Sequence, residues 1–145
     1  MREQFRHFEP IAVRWGDMDA MGHVNNAAYF TYCESARMSY FRVIDLDRLR
    51  EEPHHGPAVV TATCNFHRQL HYPAELEVAA RASKIGGKSF TLEYVLFRRS
   101  SDEVVADGSS VVVWVDYEAG KAIPLPAALR EAIGRLEAET EEPPA

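Results

Sequence analysis

Apolar residues recur with two different periods along this chain, and the switch between them outlines the elements. From Phe8 to Trp15 the alternate positions Ile11, Val13 and Trp15 share one side, which predicts a half-buried strand. From Asn26 to about Ile44 the spacing becomes helical, and Ala27, Ala28, Tyr29, Phe30, Tyr32, Cys33, Ala36, Met38, Tyr40 and Phe41 cover most of the circumference. A helix apolar on so many sides is expected to be buried on most of them. A polar stretch, Asp45 to His55, with room for a short helix, follows. Period two then takes over, and Pro57 to Gln69, Glu75 to Ile85, Lys88 to Arg99 and Glu103 to Asp116 read as strands. The alternation is clearest at Phe90, Leu92, Tyr94 and Leu96. Gly86-Gly87 and Ser100-Ser101-Asp102 supply hairpin turns. Pro124 and Pro126 introduce a last amphipathic helix, Ala127 to Ala138, with Leu129, Ile133 and Leu136 along one side.

The order of strand, long helix and four consecutive strands predicts an α+β fold with a five-stranded antiparallel sheet curled around one long central helix, plus a C-terminal helix. Such a sheet leaves an open edge and a half-covered face, so a homodimer or homotetramer is expected. Residues 1–138 read as a single domain, and the acidic, proline-tipped segment 139–145 as a flexible tail.

Composition narrows this picture. With 145 residues, 46% hydrophobic and 26% charged, the chain suits one globular domain with a core of its own. It has no apolar run long enough for a membrane-spanning helix, and its first residues lack the apolar core of a secretory signal. Cys33 and Cys64 fall within core elements, which predicts free thiols in a reducing cytoplasm. The net charge of −6 and the scattered basic residues argue against nucleic-acid binding.

The chemistry concentrates in Trp15-Gly16-Asp17-Met18-Asp19-Ala20-Met21-Gly22-His23-Val24-Asn25-Asn26, directly before the long helix. Unpaired backbone N–H groups and the positive end of the helix dipole converge at a helix start. Polar residues crowded there suit a helix cap, an anion site, or an oxyanion site facing a carboxylate. The sequence pattern by itself allows all three.

The segment Asp17 to Tyr29, followed by Glu34-Ser35-Ala36-Arg37, resembles the hotdog-fold thioesterases of the 4-hydroxybenzoyl-CoA thioesterase type. Its His-Val-Asn-Asn is also similar to acyl-carrier-protein thioesterases. Asn65-Phe66-His67-Arg68 with Tyr72-Pro73-Ala74-Glu75-Leu76, then Ile85 to Phe90, then Ile123-Pro124-Leu125-Pro126, extend the similarity over most of Phe8 to Leu136. Two departures stand out. Ala74-Glu75 replaces the family's frequent Gly-Asp, and His23-Val24-Asn25-Asn26 replaces commoner apolar or aromatic residues, which leaves the substrate class open.

The resemblance implies a hotdog fold and an acyl-CoA thioesterase without cofactor or metal. The alternatives are an acyl-carrier-protein thioesterase and a non-catalytic acyl-CoA-binding module. Thioester hydrolysis needs an oxygen nucleophile and a donor to the carbonyl oxygen, while a thiol of pKa about 8.5 leaves readily. By the resemblance Asp19 attacks the carbonyl or activates water, and the backbone N–H of Asn26 receives the thioester oxygen. His23 either assists Asp19 or makes a structural hydrogen bond. Asn25 either orients substrate or tolerates an awkward backbone angle. Asp17 is expected to hold the loop. Glu34 is either a supporting acid or the salt-bridge partner of Arg37. Lys84, Lys88 and Ser89 are the candidates for CoA phosphates. His67 and His71 stand at a spacing that suits zinc on a helix, but they fall at a strand end without a third ligand, and no metal is expected there.

Overall fold

The computed structural model describes residues 1–138. The flexible tail expected of 139–145 lies outside the described residues. Strands β1 (His7–Ala12), β2 (His55–Phe66), β3 (Glu75–Ile85), β4 (Ser89–Arg98), β5 (Val104–Asp116) and β6 (Lys121–Ala122) join in one antiparallel sheet with helices α1 (Asn26–Val43) and α2 (Ala127–Ala138). The strand order is β1-β3-β4-β5-β2, with the short β6 beside β5.

The alternation read from β4 is the alternation that packs. Phe90, Leu92, Tyr94 and Leu96 all point into the main core, where they meet Ala36 and Tyr40 of α1, Trp114 of β5 and Leu129 and Ile133 of α2. Each large side chain so buried contributes about 1.5–3 kcal/mol. On the opposite face Val95 and Phe97 join Ala79 under Phe5, so the N-terminal segment covers part of the sheet's outer surface. Glu137 ties the layers together, accepting hydrogen bonds from the Tyr40 hydroxyl (2.5 Å) and the Ala82 N–H (2.9 Å). Among the described residues no helix is long and apolar enough to cross a membrane.

Two expectations need correction. β1 ends at Ala12, and Trp15, expected on the strand's buried face, is 77% exposed. The Arg14 N–H donates to Asp17 and closes a single helical turn at Trp15–Asp17, which takes the chain out of the sheet. The hairpins expected at Gly86-Gly87 and Ser100-Ser101-Asp102 both form. β3, β4 and β5 form a meander, while β2 crosses over to pair with β5 and becomes an edge. The second is α1, which is covered on about half of its circumference within one chain: Tyr29, Tyr32, Cys33, Ala36, Ser39, Tyr40 and Phe41 are buried. Phe30 and Met38 are exposed on the other side.

Candidate active site

The turn between β1 and α1 is built in two halves. In the first, Asp17 Oδ2 accepts from the Arg14 backbone N–H (3.0 Å) and the Tyr32 hydroxyl (2.7 Å), and Oδ1 accepts from the Arg14 guanidinium (2.9 Å). Burial pushes the Asp17 carboxyl up. The Arg14 N–H, the Tyr32 hydroxyl and the guanidinium together outweigh it and hold the pKa below the ordinary carboxylate value. The Asp17 carbonyl accepts from the Asn25 N–H at 2.8 Å, so this half fastens the motif to the start of α1.

The second half is a tight loop. Asp19 Oδ1 accepts from the Met21 N–H (2.8 Å) and the His23 N–H (3.2 Å), and the Asp19 N–H donates to the His23 carbonyl at 2.7 Å. Gly22 turns the chain at φ +83°, a left-handed conformation that favours glycine. Asp19 Oδ2 makes no hydrogen bond among the described residues. Asn25 is the N-cap of α1, with its Oδ1 accepting from the Ala27 N–H at 2.9 Å and an ordinary extended backbone. That leaves the Asn26 N–H, the first of the helix, without a partner among the described residues.

A cleft of about 410 Å³ opens between this turn, the start of α1 and the segment after β2. Asp19, His23 and Asn26 line it together, with Tyr29 and Phe66 as its apolar wall and Met21, His67, Arg68 and Gln69 around it. The Tyr29 and Phe66 rings meet edge-on, 5.0 Å between centroids. His71, which the sequence reading set aside, donates from Nδ1 to the Gly22 carbonyl (3.0 Å), and its ring lies 4.8 Å from that of His23. His67 donates from Nε2 to Asp107 Oδ2 (2.7 Å), and the Asn65 amide donates to Oδ1 (2.8 Å). Apart from the resemblance at Asn65-Phe66-His67-Arg68, the sign of these residues in the sequence is the polar, histidine-rich end of an apolar strand. Periodicity does not say that this end folds back against Gly22.

The remaining candidates stand apart. Glu34 lies two turns along α1, about 12 Å from Asn26. It is exposed, 3.9 Å from Arg37, and lines a different cleft of about 170 Å³ with Phe30, Cys33 and Tyr94. Lys84, Lys88 and Ser89 sit at the β3–β4 hairpin, whereas the Ala74 carbonyl at the opposite end of β3 binds the Val13 N–H. That separates them from the Asp19 turn of the same protomer by roughly 30 Å along the strand. Burial pushes the Cys33 thiol up to about 12 and Cys64 up to about 11, so neither is a ready thiolate.

A curled antiparallel sheet on one long helix, with a carboxylate turn at that helix's start, defines a thioester hydrolase of the hotdog fold. The chain belongs to the thioesterase-like superfamily, whose family model matches residues 13–133. It is 32% identical over 122 residues to the uncharacterized protein YsmA of Bacillus subtilis, covering 84% of this chain and 81% of that one. It is 29% identical over 126 residues to the long-chain acyl-CoA thioesterase FadM of Escherichia coli, covering 87% and 96% of the two chains. Among solved structures, a thioesterase from Thermus thermophilus complexed with coenzyme A and Zn superimposes with a TM-score of 0.79 at 34% identity, covering 94% of this chain and 98% of that one.

Proposed function

We propose that the protein hydrolyses acyl-CoA thioesters to the free acid and CoA, with Asp19 and the backbone N–H of Asn26 carrying the reaction. One juxtaposition supports this reading: Asp19 and Asn26, which have a carboxylate oxygen and a helix-start N–H not engaged elsewhere among the described residues, line one cleft. The Asn26 N–H, at the positive end of α1, polarises the thioester carbonyl and holds the oxyanion that forms on it. Asp19 Oδ2 takes a proton from the attacking water, or itself attacks the carbonyl carbon, in which case departure of CoA leaves an acyl anhydride on Asp19 that water hydrolyses to the free acid and the regenerated carboxylate. The tetrahedral intermediate then collapses, the C–S bond breaks, and CoA leaves as thiolate. Tyr29 and Phe66 offer the acyl group an apolar wall. The names of FadM and of the CoA-bound Thermus thermophilus thioesterase support CoA as the thiol carrier, and free thiols at Cys33 and Cys64 fit a reducing cytoplasm.

The outer edge of β2 supports a homodimer. It is twelve residues long, unpaired among the described residues, and carries Val60 at 61% exposure beside Val59 and Phe66, next to the exposed Phe30 and Met38 of α1. A long apolar edge of this kind is stable when covered, and a second β2 related by a twofold axis covers it. Lys84, Lys88 and Ser89 reach CoA phosphates in this reading only at a neighbouring subunit's cleft. The mass in solution checks the dimer.

Thiol release from a panel of acyl-CoAs tests the chemistry. Wild type releases CoA, and Asp19→Asn loses about a thousandfold in kcat while folding normally. Full activity in Asp19→Asn removes the assignment. A wild type that binds CoA thioesters yet releases nothing from any of them marks a binding module instead.

A further inference from the structure

The corner where the chain enters β2 lies at the opposite end of that strand from the Asp19 cleft, roughly 35 Å away. Among the described residues it holds one cluster of metal-ligating side chains, His54, His55 and Asp116, whose ligand atoms all lie within 4.8 Å of one another. His54 Nε2 stands 3.6 Å and His55 Nε2 3.7 Å from the same oxygen, Asp116 Oδ2. These separations are too long for hydrogen bonds. They are close to the edge of a tetrahedron around a zinc ion, about 3.4 Å for ligands about 2.05 Å from the metal. The two rings meet edge-on, with centroids 4.8 Å apart.

The surrounding backbone fixes all three side chains. Asp116 Oδ1 accepts from the Glu118 and Ala119 N–H groups at 2.9 Å each, which orients Oδ2 toward the histidines, as an outer shell orients a metal ligand. His55 lies directly opposite Asp116 in the β2–β5 ladder, and the Tyr117 N–H donates to the His54 carbonyl at 2.9 Å. The three ligands are half-buried, while the more exposed Glu118 places Oε2 3.9 Å from His54 Nε2, in reach of a fourth position.

We infer that His54, His55 and Asp116, completed by Glu118 or water, form a binding site for a divalent cation of the zinc type. Two imidazoles with one carboxylate favour such a metal over calcium or magnesium, which take oxygen ligands. The bound ion clips the start of β2 to the β5–β6 turn. The site plays no part in the hydrolysis proposed for Asp19 and stands or falls independently of it.

The test uses the full chain stripped with chelator and titrated with Zn²⁺ by calorimetry and with Co²⁺ by visible absorption. Wild type takes up one ion per chain at micromolar metal, shows a tetrahedral Co²⁺ spectrum and unfolds at a higher temperature with Zn²⁺. The double variant His54→Ala/His55→Ala weakens binding by about a hundredfold or more and loses the thermal shift, while its thiol release is unchanged. Asp116→Asn, which keeps the Oδ1 acceptor of the turn, also loses the Co²⁺ spectrum and serves as the second variant. Failure of wild type to bind zinc stoichiometrically overturns the inference. So does wild-type affinity in either variant, which places the ion elsewhere.

Discussion

Asp17 accepts four hydrogen bonds, three from Arg14 and one from Tyr32, and is 7% exposed, whereas Asp19, two residues on, accepts two on a single oxygen at the wall of a cleft. A carboxylate saturated by donors is held as an anion and gives little to chemistry. A carboxylate with one oxygen pinned and the other open is oriented and still available. On the proposed function the turn divides the work, with Arg14–Asp17 holding the geometry and Asp19–His23 presenting the reactive group. The neighbouring asparagines divide in the same way. Asn25 uses its side chain to cap α1, and this leaves the Asn26 N–H for a ligand.

The sharpest way to break this comparison is to exchange the effects of the two aspartates. Asp19→Asn is expected to cost the thousandfold in kcat given above and to leave the melting temperature within about 2 °C of wild type. A stability loss there comparable to its activity loss would erase the distinction. Asp17→Ala should show the reverse, with about 3 kcal/mol of stability lost in urea unfolding because the buried Tyr32 hydroxyl and the Arg14 N–H lose their acceptor. The same comparison has a pH signature. Because the folded Asp17 carboxyl lies below its ordinary 3.8, its stabilisation is fully present above that value and is lost as pH falls through the lower folded one. Wild type should therefore lose stability relative to Asp17→Asn below about pH 4, and parallel acid profiles would remove the saturated-anion account. The smallest effect is expected at the cap. Asn25→Ala should cost about 1 kcal/mol of stability and only a modest part of kcat, measured as a rate at saturating substrate. A thousandfold loss there would give the Asn25 side chain a direct part in the reaction.

Much of this was legible in the residues. β3 and α2 occupy the spans that alternation and the Pro124–Pro126 stop predict, and α1 begins at Asn26 as its polar cap announced. Turn chemistry and periodicity are local, and they survive into the fold unless tertiary hydrogen bonds compete. They competed at Trp15, where the Arg14–Asp17 bond ends the strand early. They were silent on β2, whose alternation is equally compatible with pairing to β3 or to β5. The far wall of the cleft was hidden for the same reason, since Phe66 and His67 meet the motif only once β2 lies beside β5.

By itself the sequence determined the elements, the antiparallel sheet on a long helix and the motif proposed to carry the chemistry, because each is written in contacts a few residues apart. Tertiary structure decided which aspartate is saturated, since the Tyr32 hydroxyl comes from the second turn of α1. It decided that Lys84 and Lys88 stand far from Asp19 in their own protomer, and that His54 and His55 meet Asp116. The last depends on the long crossover that seats β2 on β5. Pairings so distant in sequence leave no period behind, because only the closed chain brings their partners together.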